Sequence, residues 1–134
     1  MSYAVSEALQ TAVYQHLTSA PALAGVAIHD ALPAGAVPTT YVLLGEEEVR
    51  DRSDADGAGA EHRFTLSVHS DNAGFAGAKL IAAQLCDSLI DAPLILLRGQ
   101  LIGLWFDRAR AQRMRDGSRQ ITLRFRARVA DDSG

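Results

Sequence analysis

The sequence predicts an α+β fold: a single domain with a mainly antiparallel β-sheet, two α-helices packed on one face and a long C-terminal β-hairpin. Three observations predict it. Ile121, Leu123, Phe125, Ala127 and Val129 alternate strictly with Thr122, Arg124, Arg126 and Arg128, the period of a half-buried strand. Asp116-Gly117 separates this run from an earlier one starting at Leu101, and Asp-Gly between two such runs marks a hairpin, because glycine accepts the positive φ of a tight primed turn. Two other stretches, 2–17 and 73–90, repeat apolar residues at three- and four-residue steps, the helical period.

In chain order, Val5, Leu9, Ala12, Val13 and Leu17 give the stripe of a first helix, with Ser2 placed to cap it and Thr18-Ser19-Ala20-Pro21 to stop it. Val26-Ala27-Ile28 suits a short strand leading into the irregular, proline-bearing segment 30–38. Tyr41-Val42-Leu43-Leu44 starts a firmer strand that continues through Glu46-Glu47-Glu48-Val49-Arg50. Residues 50–60, RDRSDADGAGA, hold no hydrophobe beyond alanine and cannot recover their ordering entropy by burial, which predicts a mobile loop. In 61–70, Phe64, Leu66 and Val68 share one face, and Arg63, Thr65, Ser67 and His69 the other.

Asp71-Asn72 offers an N-cap for the second helix, whose stripe is Phe75, Ala78, Ala82, Leu85 and Leu89 with Ile81 beside it; Asp91-Ala92-Pro93 ends it. Within the hairpin, Leu104 and Phe106 share a parity that continues into Arg108 and Arg110. That face is expected to change from apolar to cationic where the strand leaves the core. The order is α, β, β, β, α, β, β.

At 134 residues the chain is long enough for one domain, 1–134, with its own core. The lone Cys86 excludes an intrachain disulfide and reads as a small core residue in a reducing compartment. No secretory leader pattern opens the chain and no apolar run approaches the roughly 18 residues of a membrane span, so a soluble protein made in the cytoplasm is expected. The net charge of −3 is uneven: residues 1–97 hold 4 Lys+Arg against 12 Asp+Glu, and residues 98–134 hold 9 Arg against 4 Asp. Such asymmetry suits nucleic acid at the basic end or head-to-tail association of copies. The arginines alternate with core residues rather than exposed aromatics, so no stacking platform for bases is present.

No catalytic constellation emerges. His16, His29, His62 and His69 match no metal-ligand spacing and read as surface or boundary residues, with His62 and His69 on opposite faces. Glu46, Glu47 and Glu48 alternate faces and read as a solvated edge. The glycine pairs Gly74/Gly77 and Gly99/Gly103 lack the surroundings of a phosphate loop, and Ser67, Ser70 and Ser88 sit in no nucleophile elbow. The expectation is a binding or assembly part with no enzymatic activity, no cofactor and no metal.

The succession of an N-terminal helix, Ala20-Pro21-Ala22-Leu23, the 30–33 segment, Tyr41-Val42-Leu43-Leu44-Gly45, a polar acidic loop, His62-Arg63-Phe64-Thr65-Leu66-Ser67-Val68, an alanine-rich helix and Leu123-Arg124-Phe125-Arg126-Ala127-Arg128 resembles phage tail terminators, the tail-completion proteins of long-tailed phages and gene transfer agents. It departs from their pattern at Thr39-Thr40 and at His69. The resemblance implies a virion structural protein at the head–tail junction: a homohexameric ring that caps the tail tube, stops its polymerisation and joins it to the head-completion or connector protein. DNA would pass through its lumen without sequence-specific binding, and no membrane is involved. A ring needs two different complementary surfaces on each subunit. Arg108, Arg110, Arg124, Arg126 and Arg128, with Trp105 as an apolar anchor, are the candidates for contact with a neighbouring subunit or the tube. Glu46, Glu47, Glu48, Asp51, Asp54 and Asp56 are the candidates for the complementary surface or the lumen. Alternatives are another neck component or a nucleic-acid-binding module using the arginine strand.

Overall fold

In the computed structural model, which describes residues 2–31, 39–53, 58–71, 75–90 and 92–131, the predicted order of elements is observed. The helices are α1 (Ser6–Ser19) and α2 (Ala76–Leu89); the strands are β1 (Ala27–His29), β2 (Thr40–Asp51), β3 (Gly59–Ser70), β4 (Gln100–Arg113) and β5 (Arg119–Ala130). They form one five-stranded sheet in the order β1-β2-β3-β5-β4, antiparallel except for the parallel β1–β2 pair.

Period-two alternation places the core. Ala60, Phe64, Leu66 and Val68 of β3 pair directly with Val129, Phe125, Leu123 and Ile121 of β5, and all eight are buried. Against this face lie Leu9, Val13 and Leu17 of α1 and Ala78, Ala82, Leu85 and Leu89 of α2, the stripes the periodicity marks. The small residues of α2 let it approach the sheet closely. Each fully buried Leu or Phe here contributes about 1.5–3 kcal/mol of apolar transfer. The ring of Phe125 is sandwiched on its strand neighbours, with Phe64 at 5.5 Å and Phe106 at 6.0 Å between centroids. His16 Nε2 meets the Ser88 carbonyl at 2.7 Å and so ties the two helices together.

Several local expectations are corrected. The cap position of α1 is Val5, not Ser2: the backbone of residues 2–5 forms a tighter 3-10 turn that carries Val5 into the core, and α1 starts at Ser6 without a side-chain cap. Nor does Asp71 cap α2. Its backbone N–H donates to the Thr39 carbonyl at 3.0 Å, closing the β2–β3 ladder, and α2 begins at Ala76 without a side-chain cap; Asn72 lies outside the described residues. The β2–β3 strands run further than expected into 50–60, with Asp51 opposite Ala60 and Arg52 N–H bonded to the Gly59 carbonyl at 2.8 Å, while 54–57 lie outside the described residues.

The hairpin turn is not a two-residue primed turn. Met114 N–H donates to the Ser118 carbonyl and Gly117 N–H to the Met114 carbonyl, so three residues close the loop as a tight turn followed by Gly117 at φ 88°. Asp116 Oδ1 stabilises it by accepting from the Ser118 N–H and hydroxyl at 2.9 and 2.6 Å.

His62 is fully buried, not a surface or boundary residue, because it continues the parity of Phe64, Leu66 and Val68 on the helix face. It lies 3.9 Å from Glu47, whose carboxylate also accepts the Ser6 hydroxyl at 2.7 Å and so links the start of α1 to β2. Cys86 is half-buried against the core, and burial pushes its thiol pKa up.

Phe125→Ala should lower unfolding free energy by about 3–5 kcal/mol, the cost of deleting a fully buried aromatic side chain, as read by urea denaturation. A loss below about 1 kcal/mol would place Phe125 outside the core and contradict this packing.

Candidate functional site

The sheet face turned away from the helices is polar, and its register is set by the buried alternation on the other side. Reading from β2 to β4, its rows are Tyr41, His69, Gln120 and Gln112; then Leu43, Ser67, Thr122 and Arg110; then Thr65, Arg124 and Arg108; then Glu48, Arg63, Arg126 and Trp105; and last Arg50, Glu61, Arg128 and Gly103. All five arginines singled out in the sequence therefore share one face.

They do so because of a β-bulge. β4 slips register between Phe106 and Arg108, which throws Asp107 out of the ladder and reverses the parity beyond it. Leu104 and Phe106 face the helices, whereas Arg108 and Arg110 join the open face and Ala109 and Ala111 take over the helix side. The expectation of one face changing from apolar to cationic is corrected accordingly. A second bulge, between Leu44 and Glu47 of β2, sends Glu47 to the helix side and Glu48 to the open face. Gly45 permits it: a Cβ there would fall 2.6 Å from Thr65 Oγ1, and that hydroxyl donates to the Glu46 carbonyl at 3.2 Å.

Over the middle of the face, folding lays acidic and basic residues side by side. Arg124 Nε lies 3.3 Å from Asp107 and its Nη2 lies 4.0 Å from Glu48. Arg50 Nε donates to Glu48 at 2.8 Å, and Arg63 Nε to Glu61 at 2.6 Å. Arg128 Nη2 donates to the Arg52 carbonyl at 3.2 Å. Trp105 is 46% exposed on this face; its indole lies across Gly103, where a Cβ would run into it, and the Arg126 guanidinium sits 5.6 Å from the ring. Among the described residues Arg108, Arg110, Arg113 and Arg115 have no ion-pair partner. A groove of about 720 Å³ runs over the middle of the face, between Glu46 and Glu48 on one wall and Arg108 and Arg110 on the other, floored by Arg63 and Arg124. Asp51 ends β2, where the Ser53 hydroxyl holds its carboxyl below the usual range; Asp54 and Asp56 lie outside the described residues.

Charge pairing also sets the titration. The hydrogen bond from Arg63 holds the Glu61 carboxyl below the ordinary range against the opposing effect of burial, and the hydrogen bond from Arg50 does the same for Glu48. One contact missed from the sequence is Ser67 Oγ to His69 Nε2 at 2.8 Å, with the His69 ring stacked on Tyr41 at 4.6 Å and its pKa lowered by desolvation. Ser67 and His69 share a strand face at i, i+2, and that spacing is the signal that could have found it. Among the described residues no group of three or more His, Cys, Asp or Glu is placed to hold a metal ion, and no helix is long and apolar enough to cross a membrane.

A small α+β domain with a salt-bridged open sheet face, an exposed tryptophan and unpaired edge arginines has the features of an assembly component rather than of an enclosed reaction site. The chain belongs to the tail-completion family described as Tail completion protein gp17, whose sequence model matches residues 11–130. It is similar in structure to a chain from the "Virion of native gene transfer agent (GTA) particle", with a TM-score of 0.90 and 53% sequence identity, covering 96% of this chain and 99% of that one. No curated protein matches it.

A carboxyl group held low in the folded state adds stability above its ordinary pKa of about 4.3 and loses that contribution as pH falls through the lower folded value. NMR titration should therefore place Glu61 below about 4.3, and Arg63→Ala should move its midpoint up. A midpoint unchanged by that substitution would remove Arg63 as the cause.

Proposed function

We propose that the chain is a tail terminator: copies assemble as a ring on the end of the tail tube, stop tube growth and present a surface to the head-completion or connector protein. The observation that carries this reading is full-length similarity, 53% identical over 96% of the chain, to a protein found in a gene transfer agent virion, together with membership of a tail-completion family. The chain acts by shape and contact, carries no cofactor, and takes its place at the head–tail junction, with DNA passing through the lumen without sequence-specific contacts.

In this reading Arg108, Arg110, Arg124, Arg126 and Arg128 face a neighbouring subunit or the tube, and Glu46, Glu47, Glu48, Asp51, Asp54 and Asp56 form the complementary surface or line the lumen. Arg124 and Arg126 reach that surface with part of their interactions already met by Asp107, Glu48 and Trp105. Charges at an interface rim steer association more than they hold it, so an apolar anchor is needed. Trp105 fits that role because half of it is exposed while Gly103 and Arg126 fix its ring.

Electron microscopy of particles made without this chain should show tubes of uncontrolled length with no heads attached; normal particles would overturn the reading. Trp105→Ala, folded by circular dichroism, should weaken ring assembly by about 2 kcal/mol, the loss typical of a central interface tryptophan, in sedimentation of the protein with tubes. Undiminished assembly would remove Trp105 as the anchor.

A further inference from the structure

The sheet has two open edges, and they carry opposite charge. On one side β1 pairs only with Tyr41, Val42 and Leu43, so beyond its bulge β2 has β3 on one flank and no strand on the other among the described residues. That stretch, Glu46 to Asp51, holds four carboxylates and one arginine, a net of −3. On the other side β4 is the outermost strand along its whole length, and past its own bulge Arg108–Arg113 run in unbroken register with β5. That stretch holds three arginines and no carboxylate, a net of +3.

The two edges differ in more than sign. On the interior strands Arg124 pairs with Asp107 and Arg63 with Glu61, while Arg126 meets the Trp105 ring and Arg128 the Arg52 carbonyl; Arg108, Arg110 and Arg113 have no such contact among the described residues. Each run leaves a row of backbone N–H and C=O groups on its outer side.

Strand direction agrees with a meeting of these edges. β2 is antiparallel to β3, β3 to β5 and β5 to β4, so β4 runs opposite to β2. Rotation about a ring axis preserves sense, so β4 of one copy would meet β2 of the next as an antiparallel pair. The runs sit at opposite ends of the sheet: Glu47–Asp51 are level with Phe125–Val129, and Arg108–Arg113 with Arg119–Arg124. In the register that sets Arg108 against Glu48, neighbouring copies are staggered by two residues, about 7 Å along the strands.

We propose that the two edges join neighbouring copies, the acidic run of β2 in one subunit docking antiparallel on the cationic run of β4 in the next, with Arg108 opposite Glu48 and Arg110 opposite Glu46. The inference rests on the ring reading above and names its subunit interface.

Two charge-reversed full-length chains test it: Arg108→Glu with Arg110→Glu, and Glu46→Arg with Glu48→Arg, each checked for folding by circular dichroism. Placing like charges across the interface should cut the assembled fraction about tenfold or more in each, as measured by sedimentation with tubes. Combining all four reversals in one chain should restore assembly, because opposite charges again face each other. If a reversal does not fold, the alanine pair at the same positions replaces it, with a smaller loss expected. Wild-type rings accompanied by unaffected variants, or losses that the combined chain does not recover, would overturn the edge pairing alone. A wild-type chain that forms no ring even on tube ends would overturn the ring reading and the edge pairing with it.

Discussion

The strict alternation of β3 and β5 is the constraint on which the rest depends. Twelve positions of each strand pair in unbroken antiparallel register, with Phe64, Leu66, Val68, Ile121, Leu123, Phe125, Ala127 and Val129 on one face and Arg63, Thr65, Ser67, Thr122, Arg124, Arg126 and Arg128 on the other. Because the side-chain period is two, a slip of a single residue would send Phe125 to water and Arg124 and Arg126 beneath the helices. Burying an unpaired guanidinium costs several kcal/mol, so the register is fixed by two opposed penalties, one for each face. The helices can then cover only one side, and the other is left as a broad polar surface whose composition is dictated by the same alternation.

The bulges extend this surface to both edges. Without the bulge at Asp107, Arg108 and Arg110 would follow Phe106 to the helix side; with it they join Arg124, Arg126 and Arg128. The bulge before Glu47 sorts the three consecutive glutamates, leaving Glu47 to hold Ser6 while Glu48 meets Arg50 and Arg124. Arg124 and Arg63 are thereby ion-paired within one subunit, whereas among the described residues Arg108, Arg110 and Arg113 on the outermost strand are not. A protein that works by assembly needs such a division: a rigid, self-satisfied middle and margins whose electrostatic requirements another molecule meets. Membership of a tail-completion family gives that division a context.

Much of this was legible in the sequence, and the remainder was not for identifiable reasons. Both helical stripes, the hairpin and the two faces of β3 and β5 follow from periodicity, because in each the apolar positions are strong and uninterrupted. The parity of β4 beyond Phe106 could not be read locally, since Asp107 looks like any polar strand residue and becomes a bulge only once Phe106 and Arg108 are set against Phe125 and Arg124. The burial of His62 was encoded in its parity with Phe64, but histidine is usually assigned to a boundary and the Glu47 contact comes from another strand. The predicted caps failed because each helix begins later than its stripe suggested, α1 at Ser6 and α2 at Ala76, with Asp71 still closing the β2–β3 ladder through Thr39. The arginine set was visible as a group. That Arg124 is ion-paired internally while Arg108 and Arg110 are not depended on Glu48 and Asp107 arriving beside it, which only the folded register brings about.

The central claim, that this chain functions as a self-associating piece of a tail, is tested most directly by a cryo-electron microscopy reconstruction of the particle that contains it. The account predicts a closed ring of copies between the tail tube and the head connector, with the sheets of adjacent copies abutting edge to edge. Density for isolated copies, or for the chain at any other place in the particle, would contradict it.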